Sequence, residues 1–130
     1  VFYVAYEEIG AASFADKLRA TETFSDRLYV ACINDFPRLM RAVRSVGARF
    51  VFLDSVSHAY LEPGDVARFA RELNLSGLVL LAHETKDGQS KGDTFWSHMV
   101  DAVVQFTRPG FAIIEKSRYG PFSSGEVAIP

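Results

Sequence analysis

Arg49-Phe50-Val51-Phe52-Leu53-Asp54-Ser55 decides the fold. Four apolar residues in succession end abruptly on a carboxylate and a hydroxyl. A short apolar run of this kind reads as a strand buried on both faces, as in a parallel sheet. Asp54 then stands at the carboxyl end of that strand, the edge of an open α/β sheet where ligands sit. A carboxylate there needs a cation, a donor or water. Two readings stay open at this point: an acid that organises magnesium beside a nucleotide, and an acid that caps the next turn.

The rest of the chain alternates around this strand. Val1-Phe2-Tyr3-Val4-Ala5 is a second apolar strand, followed by Tyr6-Glu7-Glu8. Ser13 is placed to cap a helix running to about Ala20, with Phe14 and Leu18 on one face. Leu28 to Cys32 is a further strand, and Cys32 within it reads as a small buried hydrophobe. Asn34-Asp35 ahead of Pro37 marks the start of a helix that Gly47 ends. Leu39, Met40, Val43 and Val46 form its apolar stripe, and Arg38, Arg41 and Arg44 form a solvated one. Pro63-Gly64-Asp65 opens another helix. Leu78 to Ala82 is a strand that ends on His83-Glu84-Thr85-Lys86. Phe95 to Met99 reads as a helical turn. Ala102 to Phe106, Phe111 to Glu115 and Val127 to Ile129 are strands, the first two joined by the turn residues Arg108-Pro109-Gly110. The expected architecture is α/β: a mostly parallel sheet flanked by helices, with antiparallel strands at its C-terminal edge.

The totals bound the function. At 130 residues, 48% apolar, the chain reads as one globular domain. A formal charge of −2 gives no general attraction to nucleic acid, so such binding would need a local patch. One cysteine excludes an internal disulfide and a multi-cysteine zinc site, and fits a reducing, cytoplasmic setting. No apolar run approaches the ~20 residues that span a bilayer. Opening in mid-strand without methionine, the sequence reads as truncated before residue 1.

Parallel strands share one carboxyl edge, so Glu7-Glu8, Asp54-Ser55 and His83-Glu84-Thr85 are expected to gather there. Two carboxylates and a histidine suit water activation beside a metal. Lys116 and Arg118, two residues apart, point the same way if the last long strand runs through them, a good geometry for gripping phosphate. His58 and His98 lack a partner at metal-ligand spacing and read as structural or surface groups.

In this order the motifs resemble the RecA-type ATPase core, most nearly that of the bacterial RadA (Sms) DNA repair proteins. Val1 to Glu8 is similar to that family's strand ending in Gly-Glu-Glu-Ser. Phe50 to Ser55 resembles its Walker B strand, and Ala82-His83-Glu84-Thr85-Lys86-Asp87-Gly88 its Gly-His-Val-Thr-Lys-Glu-Gly. Ser97-His98-Met99-Val100-Asp101 is similar to Glu-His-Met-Val-Asp, and Lys116-Ser117-Arg118-Tyr119-Gly120-Pro121 to Lys-Asn-Arg-Phe-Gly-Pro. KaiC-like proteins and replicative helicases share the fold and the first two motifs. The resemblance implies ATP and magnesium as cofactors, single-stranded DNA as partner and a ring or filament of identical subunits. It implies Glu7 as the water-orienting base, Asp54 as the magnesium acid, His83 and Thr85 as phosphate sensors, and Lys86 and Lys91 in a DNA-facing loop. Lys116 and Arg118 would reach a neighbouring subunit's nucleotide. The phosphate loop Gly-x-x-x-x-Gly-Lys-Ser/Thr does not occur in these 130 residues, and Gly88-Gln89-Ser90-Lys91-Gly92 lacks its ending. Without it the chain alone is expected not to hydrolyse ATP. The alternatives are a degenerate RecA-fold module for oligomerisation or DNA binding, and a metal hydrolase using Glu7, Asp54 and His83 directly.

Overall fold

The computed structural model describes residues 1–6, 12–22, 25–56, 61–83, 93–120 and 126–129. These fall into two compact units, Val1–Lys91 and Gly92–Pro130.

In the first unit, strands β1 (Phe2–Ala5), β2 (Tyr29–Ala31), β3 (Phe50–Asp54) and β4 (Gly77–Leu81) form a wholly parallel sheet in the order β2-β1-β3-β4. The register sets Phe2 opposite Tyr29 and Val51, and Asp54 opposite Ala5 and Leu81. Helices α1 (Ala12–Ala20), α2 (Phe36–Ser45) and α3 (Pro63–Glu72) alternate with the strands. One sheet face is covered at its two central strands: Phe2, Val4, Val51 and Leu53 are buried, together with Leu39, Met40 and Val43 of α2 and Val66 and Phe69 of α3. The rings of Phe36 and Phe69 meet at 5.8 Å and join α2 to α3.

The other face corrects the expectation that β3 is buried on both sides. Phe50 is 50% exposed and Phe52 and Asp54 are half-buried. On this face Tyr3 packs against Phe14 of α1 at 5.7 Å, whereas Val30, Val79 and Leu81 remain exposed. Gly77 is needed here: a Cβ would stand 2.7 Å from the Phe50 ring. Two smaller expectations also change. Helix α1 begins at Ala12, so Ser13 lies inside its first turn and is not its cap. Strand β2 ends at Ala31 and lies at the sheet edge, so Cys32 is exposed and not buried.

Helix α2 starts and stops as its sequence dictates. Asp35 caps it, accepting a hydrogen bond from the Arg38 amide at 2.7 Å. Gly47 follows its end at φ +63°, the left-handed conformation that suits glycine. Asn74 does the same after α3, at φ +48°. Asp35→Ala is expected to cost about 1 kcal/mol of stability through the lost cap, measured by urea denaturation. An unchanged midpoint would mean that the cap contributes nothing.

In the second unit, α4 (Asp93–Met99) precedes β5 (Ala102–Arg108), β6 (Phe111–Ser117) and β7 (Glu126–Ala128). The antiparallel strands form a sheet of their own, ordered β5-β6-β7. Gly110, at φ +79°, turns the β5–β6 hairpin. Arg108 lies over the Phe111 ring at 3.9 Å and reaches across β6 to Glu126 at 3.0 Å. Among the described residues no helix is long and apolar enough to cross a membrane.

Candidate functional site

The carboxyl edge of the parallel sheet is tied together at three strand ends. The Tyr6 amide donates to the Asp54 carbonyl at 2.7 Å, and the Val56 amide to the Leu81 carbonyl at 2.9 Å. Asp54 is thereby centred between the ends of β1 and β4. Its side chain is half-buried, and its Oδ2 accepts a hydrogen bond from the Tyr3 hydroxyl. Ser55, next in the chain after a cis peptide, is fully buried. Tyr3 is set opposite Phe52, with Asp54 two residues further along the same face. Its ring stacks on Phe52 at 6.1 Å and meets Phe14 on the α1 side. A diagonal neighbour of this kind lies within reach of a long aromatic side chain.

Tyr6 stands beside this edge. Burial pushes its phenol up to about 12, and the nearby Cys32 adds to the shift. Tyr6 therefore stays a neutral hydroxyl throughout the physiological range, and no negative charge joins Asp54 from it.

Of the residues expected at the edge, the structure places Asp54 at the end of β3 and His83, exposed, just beyond β4. Glu7, Glu8, Thr85, Lys86 and Lys91 lie outside the described residues.

The second unit holds the other pair. Lys116 lies near the end of β6 and Arg118 just past it, and both converge on the C-terminal turn of α4. Lys116 Nζ donates to the Ser97 carbonyl at 2.6 Å and to the His98 carbonyl at 3.4 Å. Arg118 donates to the same His98 carbonyl at 3.2 Å and pairs with Asp101 at 3.1 Å. Its backbone amide donates to the Asp101 carbonyl. The two side chains thus point the same way, as the two-residue spacing requires. They meet carbonyls of the last turn of α4, the helix end that carries partial negative charge.

Sequence reasoning passed over Tyr3, which read only as part of an apolar strand. Its signal was present: a hydroxyl-bearing residue inside an otherwise apolar run needs a partner. Asp101 was noticed only within a motif, with no partner assigned.

Among the described residues no group of three His, Cys, Asp or Glu could hold a metal ion. A single carboxylate from the described residues, with one oxygen already engaged, is a poor cage for a tightly bound metal. It does suit magnesium, which keeps most of its waters and takes one or two carboxylates together with phosphate oxygens.

This architecture is shared with solved structures. A KaiC-like protein from Pyrococcus horikoshii superposes with a TM-score of 0.61 at 12% identity, over 96% of this chain and 70% of that one. The fold is therefore that of a RecA-type core. In sequence this core is close to RadA: the DNA repair protein RadA of Halalkalibacterium halodurans is 30% identical over 122 residues, covering 82% of the chain. The matched region spans 26% of the RadA length. No protein-family profile matches the chain.

Proposed function

We propose that the chain is the core of a RadA-like, DNA-dependent ATPase of recombination or repair, acting in the cytoplasm as a ring or filament with nucleotide between subunits. The observation that carries this reading is Asp54, half-exposed at the carboxyl end of a central parallel strand, in a sequence related to RadA. Asp54 would hold hydrated magnesium, and Glu7 would orient the attacking water. His83 and Thr85 would respond to the terminal phosphate, and Lys86 and Lys91 would meet single-stranded DNA. Lys116 and Arg118 would act on the nucleotide of the adjoining subunit. Magnesium, when bound, neutralises charge on the phosphate oxygens.

Within the full-length gene product, Asp54→Asn is expected to lower magnesium-dependent ATP hydrolysis on the order of 100-fold or more, since such a cation is worth several kcal/mol at the transition state. Hydrolysis at the wild-type rate would remove the reading. Gly-x-x-x-x-Gly-Lys-Ser/Thr is absent from these 130 residues, so a polypeptide of these residues alone should show no turnover above background. A non-catalytic module for oligomerisation or DNA binding predicts instead that the full-length product binds no nucleotide.

A further inference from the structure

We propose that Tyr3 is a positioning residue for the Asp54 carboxylate, holding Oδ2 through its hydroxyl so that Oδ1 is presented to a hydrated magnesium ion. The inference rests on the reading of Asp54 given above and extends it to a residue of a different strand.

Three observations carry it. The first is the contact itself: the Tyr3 hydroxyl donates to Asp54 Oδ2 across 51 positions of sequence. Among the described residues no other hydrogen bond reaches this carboxylate, and the Tyr3 bond is made to Oδ2. The second is the register. Parallel pairing of β1 with β3 sets Tyr3 opposite Phe52 and Ala5 opposite Asp54, all four on one sheet face. A small residue beside Asp54 leaves room for the phenol to reach along the strand direction. The third is the fixing of the ring. Phe52 stacks on Tyr3 at 6.1 Å and 22°, and Phe14 meets it at 5.7 Å. A ring held by two neighbours, with its strand paired on both sides, keeps its hydroxyl in place before any ligand arrives.

The chemistry favours positioning over simple packing. A phenol donating to a carboxylate makes a charge-assisted bond, stronger than a neutral one. Such a bond selects one rotamer of a short side chain that otherwise swings. Groups that orient a metal-binding carboxylate in this way typically change metal affinity 10–100-fold when removed.

The test uses the full-length gene product and reads the magnesium concentration that half-saturates binding of a fluorescent ATP analogue, with thermal stability measured alongside. Tyr3→Phe keeps the ring and its aromatic neighbours and deletes only the hydroxyl. It is expected to raise the half-saturating magnesium concentration roughly tenfold, while binding at saturating magnesium recovers. Asp54→Asn should raise the requirement further. A Tyr3→Phe variant that loses stability but keeps the wild-type magnesium requirement overturns the proposal, because Tyr3 is then only packing. A lowered requirement also overturns it, because the phenol would then compete with the cation. If Asp54→Asn itself leaves the requirement unchanged, the magnesium role of Asp54 fails and the role of Tyr3 falls with it. If only Tyr3→Phe is silent, the role of Asp54 stands and that of Tyr3 does not.

Discussion

Phe69→Ala is expected to remove about 3–5 kcal/mol from the stability of the parallel unit. Phe69 is 1% exposed and is the largest fully buried side chain among the described residues. It lies on α3, one turn after the buried Val66, and its ring meets Phe36 at the start of α2. Truncation deletes the apolar surface that joins two helices above one sheet face and leaves a cavity that the strands cannot close. Domain stabilities are about 5–15 kcal/mol, so this change takes about a fifth of the stability or more. Chemical denaturation should show the midpoint falling with an unchanged slope. Phe69→Leu, which keeps most of the volume, should recover the larger part. A loss below 1 kcal/mol would mean that α3 is not integral to the core.

On the proposed role of Arg118, Arg118→Ala is expected to lower ATP hydrolysis by the full-length gene product on the order of 10³-fold, the low end of the range for an arginine acting on a transferred phosphoryl group, while stability changes little. The exposure of the Arg118–Asp101 pair is the reason to expect little change in stability. Arg118 and Asp101 are each 52% exposed, and an exposed pair of this kind is worth no more than about 1 kcal/mol. Its guanidinium can leave Asp101 and the His98 carbonyl for a phosphate at small cost. Lys116 is more deeply set, on the Ser97 carbonyl at 2.6 Å, and continues to hold α4 in the variant. Mixing Arg118→Ala subunits with Asp54→Asn subunits should restore part of the activity, since some interfaces then pair an intact arginine with an intact acid. Parallel loss of stability and activity, with no recovery on mixing, would make Arg118 a structural cap of α4.

What the sequence disclosed depended on whether the deciding interaction was local. Helix α2 was legible throughout, because Asp35, Pro37, the apolar stripe and Gly47 act within a turn or two of one another. The abrupt passage from Leu53 to Asp54 likewise marked both the strand end and the candidate acid. Cys32 was misjudged because burial of an edge strand depends on strand order, which a run of apolar residues does not encode. The partial exposure of β3 has the same origin: Phe50 and Phe52 look like Val51 and Leu53 in sequence, but only the face carrying Val51 and Leu53 buries the central strands. The tie between Tyr3 and Asp54 needs the register of two strands far apart in the chain. The meeting of Lys116 and Arg118 at α4 needs the placement of a helix relative to a hairpin. The two-residue spacing gave the common direction of those side chains but not the carbonyls they reach.

The two sheets also differ in how they can be assembled. Every pairing in the parallel sheet joins distant stretches, Phe2 with Val51 and Tyr29 among them, and no hairpin can nucleate any of them. Strands β5 and β6 are separated only by Pro109 and Gly110. Local pairings close quickly, whereas non-local parallel ones wait for the loop entropy between them to be overcome. The antiparallel hairpin therefore forms early. The carboxyl edge carrying Asp54 and Tyr3 is complete only when β1 docks beside β3, so the acid acquires its phenolic partner only with that non-local pairing.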